Sequence, residues 1–433
     1  MSLRLRRRDF LRGMAAGTAA AGTFGGLDLG RALAAQRSPN EKLNIGIIGV
    51  ANRAASNLEG VQGENIVALC DIDDRYLDAA FGRFPKAEKY NDFRKLLERK
   101  DLDAVVISTA DHVHASATVA ALKLGKHVYV EKPMSHSVHE ARVIAETAAK
   151  AKVATQMGTQ IHATNNYRRV VEAIQAGAIG PVNACHVWVG KTWSEGSRPR
   201  ETPPVPKYIN WDLWVGPAPM RPYHPTYLPA NWRRWWDFGC GTLGDMACHY
   251  MDLPFWALKL RHPTSVESQG PPVHPETTPR WMIVKFEFPA RDAMPALDLT
   301  WYDGGKKPAL LREAGLPDWE SGVLFVGEKG LMLADYDQYK LYPEEKFKGF
   351  TPPPQSIPNS IGHYAEWINA CKNGGPTTCN FDYSGALTES VLLGNVAYRT
   401  GKKLDWDAKA LHATNTSDAD QYLKREYRAG WTL

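Results

Sequence analysis

Leu43-Asn44-Ile45-Gly46-Ile47-Ile48-Gly49-Val50-Ala51-Asn52-Arg53-Ala54 is the stretch whose reading decides the fold. A short apolar run that ends in glycine reads as a buried strand, and G-V-A-N-R-A reads as the tight turn into a helix. In a dinucleotide fingerprint, G-x-G-x-x-G/A, the first glycine makes the turn. The second lets the backbone approach a pyrophosphate, and the third packs helix on strand. Ala51 and Ala54 occupy the second and third positions here, so the pattern is degraded and needs support from elsewhere.

Support lies downstream. Ile66–Asp71, Asp103–Ser108 and His127–Val130 are further short apolar runs, and Ala115–Leu124 and Val138–Lys150 carry helical patterns between them. Alternating units of this kind predict an α/β fold with a Rossmann-type, doubly wound parallel sheet, and place ligands beyond the carboxyl ends of its strands. Asp71 closes the second run, 22 residues after Gly49. A carboxylate there accepts both adenosine ribose hydroxyls and repels a 2′-phosphate, which selects NAD over NADP; Arg53 and Arg75 are the nearby cations that keep NADP open.

Glu131-Lys132-Pro133 follows H-V-Y-V directly and precedes a helix. With the glycine loop at Gly49, S-T-A-D-H-V-H at Ser108–His114, A-G-A-I-G-P-V at Ala176–Val182 and G-T-L-G-D-M-A-C-H at Gly241–His249, it resembles the Gfo/Idh/MocA family of nicotinamide-dependent sugar oxidoreductases. The resemblance runs from about Lys42 to about Asp405. It departs from the family pattern at Ala51, at Ala110 where proline is common, and at Met246-Ala247 inside D-x-x-x-H. It implies that Lys132 and His249 frame the reacting carbon. The residues following the strands are expected at the cofactor: Gly49, Val50, Ala51, Asn52, Arg53, Asp71, Ser108, Thr109, His114, Glu131, Lys132 and Gln160.

The residue types agree with that chemistry. Oxidising a carbinol needs a base for the hydroxyl proton and a donor for the developing alkoxide. Lys132 is the expected donor, its charge held by Glu131. Asp245 and His249, four apart on one helical face, are the expected carboxylate and proton acceptor, Asp245 orienting the imidazole or holding a sugar hydroxyl. A surface lysine beside a turn proline and a helix-stabilising pair are the structural alternatives. His162 either contacts substrate or bonds to backbone. His112 and His114 lack a third ligand nearby, so no metal is expected.

Residues 188–236 hold seven of the chain's 14 tryptophans, and Pro199–Pro229 contains nine prolines, which predicts an ordered but irregular excursion with little helix or sheet. The segment reads as a carbohydrate-facing lid with Trp232 and Arg233 at the substrate; the alternative is that its aromatics form a core or a subunit contact. Runs at 281–288, 295–301, 322–326, 331–335 and 339–342 predict antiparallel strands, with a hairpin at Gly327–Gly330. Helices are expected from about His363 and over Asp382–Thr400. The second half is therefore an α+β domain with an open, mainly antiparallel sheet, through which copies of the chain are expected to pair.

The formal charge is +5, but residues 1–34 hold six arginines against two aspartates, leaving the remainder at +1. Arg7-Arg8 with Phe10-Leu11, an Ala/Gly-rich stretch and Ala32-Leu33-Ala34 read as a twin-arginine export signal. The expected organisation is a signal over 1–34, an NAD-binding domain over 35–160 and a substrate and oligomerisation domain over 161–433. A chain near neutral without its signal excludes a nucleic-acid partner, and no apolar run reaches the length of a membrane span. Six scattered cysteines form no metal frame; Cys371 and Cys379 are the one pair open to bridging, with free thiols expected. The reading is a periplasmic NAD-dependent oxidoreductase acting on a secondary hydroxyl of a sugar or glycoside, at ring C3. The alternatives are a redox-neutral glycoside-cleaving enzyme and a non-catalytic sugar-binding protein.

Overall fold

Strand β1 (Asn44–Ile48) sits inside a six-stranded parallel sheet with β2 (Asn65–Cys70), β3 (Glu88–Tyr90), β4 (Ala104–Ile107), β5 (His127–Val130) and β6 (Thr155–Met157). The strand order is β3-β2-β1-β4-β5-β6, so the sense in which strands are added to the sheet reverses between β1 and β4, and a crevice opens beyond their carboxyl ends. The structure, a computed structural model, describes residues 41–194 and 196–433. The proposed export signal lies outside the described residues. Residues 42–433 form one unit.

The sequence-derived strands are present, with ends that differ from expectation by at most two residues. Helix Asp111–Lys123 begins four residues before the expected Ala115, because Asp111, His112, Val113 and His114 are all buried and form its first turn. Helix Val138–Ala151 starts on a reciprocal cap: Ser137 Oγ accepts from the Glu140 N–H, and the Glu140 carboxylate accepts from the Ser137 N–H.

The second sheet has nine strands: β7 (Val182–Trp188), β8 (Ser265–Gln269), β9 (Ile283–Phe288), β10 (Leu297–Tyr302), β11 (Gly322–Gly327), β12 (Gly330–Ala334), β13 (Tyr339–Tyr342), β14 (Leu404–Asp407) and β15 (His412–Ala413). Their order is β13-β12-β11-β7-β10-β9-β8-β14-β15, antiparallel except where β7 runs parallel to β10. Gly327 pairs with Gly330 across the expected hairpin. One face buries Val284, Phe286, Leu299 and Trp301, each aliphatic or phenyl side chain contributing roughly 1.5–3 kcal/mol. The other carries Lys285, Asp298 and Glu287, joined by ion pairs such as Lys285–Asp298 at 3.0 Å. Helix Phe381–Thr400 is buried along most of its length and packs on both helix Val138–Ala151 and β8, tying the two sheets together. Gly385 permits this approach, since a Cβ there would stand 2.9 Å from that of Ala145. All six cysteines are free, Cys371 and Cys379 included. No helix among the described residues is long and apolar enough to cross a membrane.

Candidate active site

The crevice beyond β1 and β4 is a groove of about 450 Å³, a size suited to a small-molecule ligand. Its floor is the glycine turn. Gly49 has φ +85°, and a Cβ there would lie 2.7 Å from the Ser108 carbonyl oxygen, so only glycine lets the two strand ends approach. Ala51, Asn52, Arg53, Asp71, Ser108 and Thr109 line the groove, while Val50 is buried and donates its N–H to Asp71 Oδ2 at 3.0 Å. The second Asp71 oxygen accepts the Asp73 N–H at 3.0 Å. Burial pushes the Asp71 carboxyl up to about 6 against the pull of these two donors. Arg75, the cation that kept NADP open, is paired with Asp73 at 2.7 Å and lies 3.6 Å over the Tyr208 ring. The glycine cradle, the groove and a carboxylate at the end of β2 together fit a dinucleotide with a free 2′-hydroxyl.

A pH dependence follows. The carboxylate is the form that accepts ribose hydroxyls, so NAD affinity is level above about pH 6 and falls below it, by at most about tenfold per pH unit. Calorimetric titration of NAD between pH 4.5 and 8 checks this; Asp71→Asn is expected to flatten the profile at the weak end.

At the end of β5 two consecutive side chains part company. Glu131 is buried and its Oε1 accepts from Arg53 at 3.2 Å, from Asn57 at 2.9 Å and from Gln160 at 2.9 Å. Asn57 also reaches Ser108 Oγ, and Gln160 reaches Tyr129, so this carboxylate braces the groove floor. It does not hold Lys132, contrary to the sequence reading. Lys132 Nζ instead donates to Asp245 Oδ1 at 2.6 Å and to the Asp245 carbonyl at 2.7 Å.

Asp245 lies on helix Gly241–Tyr250 and is the hub of the site. Its Oδ1 takes Lys132 and the Arg233 Nε (3.1 Å); its Oδ2 takes Lys191 Nζ (2.9 Å) and the Trp193 indole N–H (2.6 Å). Burial would raise this carboxyl, but Lys132, Arg233 and Lys191 outweigh it and hold it well below the usual range. With four donors on two oxygens, Asp245 does not orient the imidazole as expected. His249, one turn on, has a buried Nδ1 without a hydrogen-bond partner among the described residues. Burial first, then the Lys132 charge, hold its imidazole well below its ordinary pKa, so it is neutral. Asp111, buried nearby, is pushed up to about 7 by burial, with Arg233 opposing. Lys191, Trp193 and Asp111 were not singled out from sequence. No strand was read over β7, which ends at Trp188, so nothing marked Lys191 as a residue that follows a strand end.

The tryptophan-rich segment is not an open sugar platform. Trp211, Trp214, Tyr223, Tyr227, Trp232, Trp235 and Phe238 pack on one another in a separate core, Trp211 stacked on Trp214 at 4.6 Å. That core lies against the groove, where Tyr208, Trp214, Tyr223, Pro229 and Trp232 form a wall opposite the glycine turn. It is stapled to the loop after β2: Asp74 N–H donates to the Tyr208 carbonyl at 2.9 Å, and Asn210 N–H to the Ile72 carbonyl at 2.8 Å. Segment 425–431 latches it from outside. Arg428 bonds to Asp212 and to the Gly216 carbonyl, Arg425 and Tyr427 bond to Glu140, and Trp431 reaches the groove.

Two further residues fall elsewhere than expected. His114 is buried and bridges the Pro133 carbonyl (2.8 Å) and the Thr109 carbonyl (3.0 Å); it fixes the two loops that carry the site rather than lining the groove. His162 is buried, its Nδ1 2.9 Å from Asp252 Oδ2 and its ring stacked 4.0 Å from Trp256, and Tyr383 donates to the same carboxylate. It therefore belongs to an internal network and not to exposed surface. His162, Asp252 and Cys379 bring donor atoms within 4.8 Å of one another, but Asp252 is already satisfied by these hydrogen bonds.

Comparison with known proteins agrees with this fold. A family model described as an oxidoreductase family NAD-binding Rossmann fold, Gfo/Idh/MocA, matches residues 43–159, and the same family's C-terminal alpha/beta domain matches residues 172–294. Inositol 2-dehydrogenase of Salmonella typhimurium is 31% identical over 144 residues, covering 32% of this chain and 43% of that protein. A glycosyl hydrolase family 109 protein of Shewanella pealeana is 28% identical over 204 residues, covering 41% of this chain and 44% of that protein. The chain thus aligns with less than half the length of these relatives. The fold matches the WlbA dehydrogenase of Bordetella pertussis, solved with NADH and UDP-GlcNAcA, with TM-score 0.59 at 18% identity over 85% of this chain and 99% of that one. It also matches the aldose-aldose oxidoreductase of Caulobacter crescentus, with TM-score 0.54 at 15% identity over 84% and 100%.

Proposed function

The chain belongs to the Gfo/Idh/MocA oxidoreductase family and carries its NAD-binding Rossmann domain, and from this premise we propose that it oxidises a secondary hydroxyl, at ring C3, of a sugar or glycoside. The observation that supports the reading is Arg233, which lines the dinucleotide groove and bonds to Asp245, the carboxylate that also holds Lys132. When bound, the nicotinamide supplies the hydride acceptor. Lys132 has three N–H donors, of which Asp245 takes two and the third serves the developing alkoxide. His249, neutral, takes the hydroxyl proton. Purified protein should contain NAD(H) by absorbance and mass, and should convert a member of a glycoside panel to a keto sugar; absence of any bindable nicotinamide sinks the proposal.

The latched wall over the groove favours one variant of it. A cofactor that stays in place suits a cycle in which the ketone acidifies the neighbouring C–H, the glycosidic bond is eliminated, and the stored hydride is returned. Bond cleavage without release of NADH identifies that cycle. It also suits export through the twin-arginine route into a periplasm, which we propose as the site of action, because that route carries folded, loaded proteins. Arg428→Ala removes the bonds to Asp212 and Gly216. It should raise the NAD dissociation rate roughly tenfold, equivalent to about 1.4 kcal/mol, as followed by gel filtration and dye displacement. We further propose that copies pair through the polar face of the second sheet, around Lys285 and Asp298.

A further inference from the structure

The charge around Asp245 is unbalanced. Three cations, Lys132, Lys191 and Arg233, converge on one carboxylate. The neighbouring ionic groups are taken: Glu131 holds Arg53, while Asp237 holds both Arg198 and Arg221. Asp71 meets the backbone N–H groups of Val50 and Asp73. Asp111 is a further carboxyl whose charge acts on Lys132 and Arg233, and it bonds to the Cys240 N–H. Its ionisation takes these five side chains from two positive charges to one; the Glu320 carboxylate, beside Gly190, makes no ion pair with Lys191 among the described residues.

The excess has a direction. Lys132 is nearly enclosed and fixed by two bonds. Lys191 has a half-exposed side chain, and Asp245 takes one of its three protons; the ammonium also lies 4.9 Å from the Trp193 ring centroid and 3.8 Å from the Met246 sulfur. Arg233 lines the groove with its guanidinium carbon 4.2 Å from the ring centroid of Trp232, which lines it too. A neutral sugar needs one donor at its reacting oxygen. It gives no partner to a second ammonium and a planar guanidinium held together against their own repulsion. An anionic substituent does, and the guanidinium fork matches carboxylate or phosphate geometry.

We propose that the substrate is an anionic sugar, its carboxylate or phosphate held by Lys191 and Arg233 beside the carbon attended by Lys132. This rests on the reading of the site as a sugar oxidoreductase and adds the substrate's charge class. The test is calorimetric binding of D-glucuronate, glucose 6-phosphate and methyl glucoside to NAD-loaded protein, so that the cofactor's own phosphate site is filled. At least one anion is expected to bind tenfold or more tighter than methyl glucoside at low salt, with the advantage shrinking as ionic strength rises. Lys191→Gln should cut that ratio to within about threefold, and Lys191→Arg should restore most of it. The uronate and phosphate arms separate the two anion sources. Failure of both anions to bind, equal or tighter binding of methyl glucoside, or a ratio untouched by Lys191→Gln overturns the proposal. Anion-selective binding without oxidation of any panel sugar leaves the charge assignment standing and removes the oxidoreductase reading beneath it.

Discussion

Lys132→Met is expected to lower turnover by ~10²–10⁴-fold while the protein stays folded and keeps its NAD, the range that a positioned proton donor contributes. Folding survives because Asp245, the partner lost by the substitution, still receives Lys191, Arg233 and the Trp193 indole. Cofactor binding survives because Glu131, which braces the groove floor, takes Arg53, Asn57 and Gln160 and not Lys132. The loss should therefore appear in kcat, with the melting temperature and NAD content close to the parent's. Lys132→Arg restores the charge but not the compact ammonium geometry and should recover little. A loss below tenfold in protein with full NAD content would show that Lys132 is not the donor at the reacting carbon.

Asp245→Asn is expected to be the most damaging single change to stability, about 3–5 kcal/mol, because it leaves buried cations without their counter-charge. The shape is conserved, so packing is not the cause. The comparison that isolates electrostatics is Lys191→Gln, which removes a half-exposed partner and should cost less than about 1 kcal/mol. Urea unfolding midpoints of the three proteins check the pair. Equal, small losses for both would mean that the cations are solvated and that Asp245 is no hub.

The floor of the site was legible because position along a strand is a local property. Gly49, Asp71, Ser108 and Lys132 follow strands that a short apolar run reveals, and the fold brings all such ends to one crevice. Partnership was not legible. Glu131 and Lys132 are adjacent, which suggested a pair, but consecutive side chains in an extended segment point to opposite sides. One went to the groove floor and the other to Asp245. Asp245 and His249 share a helical face as their spacing requires, yet three cations brought from β5, from the chain after β7 and from the proline-rich segment claim the carboxylate first. β7 itself, V-N-A-C-H-V-W, was missed because it does not alternate cleanly: exposed Asn183 shares a face with buried Cys185 and Val187, and Trp188 on the opposite face is buried too. The tryptophans misled for a related reason. A long segment with little helix or sheet must make its own core, and aromatic faces that would suit a sugar were already covered by one another.

The groove has its floor in residues 48–110 and its wall in residues 208–233, regions about a hundred positions apart along the chain. A dinucleotide lying between them acts as a removable cross-link, closing a loop of that length in the way a covalent bridge would. Occupancy and folding stability are then a single thermodynamic quantity: each tenfold of free dinucleotide above its dissociation constant adds about 1.4 kcal/mol to the folded state. Empty protein lacks that contribution and is therefore the form most easily degraded.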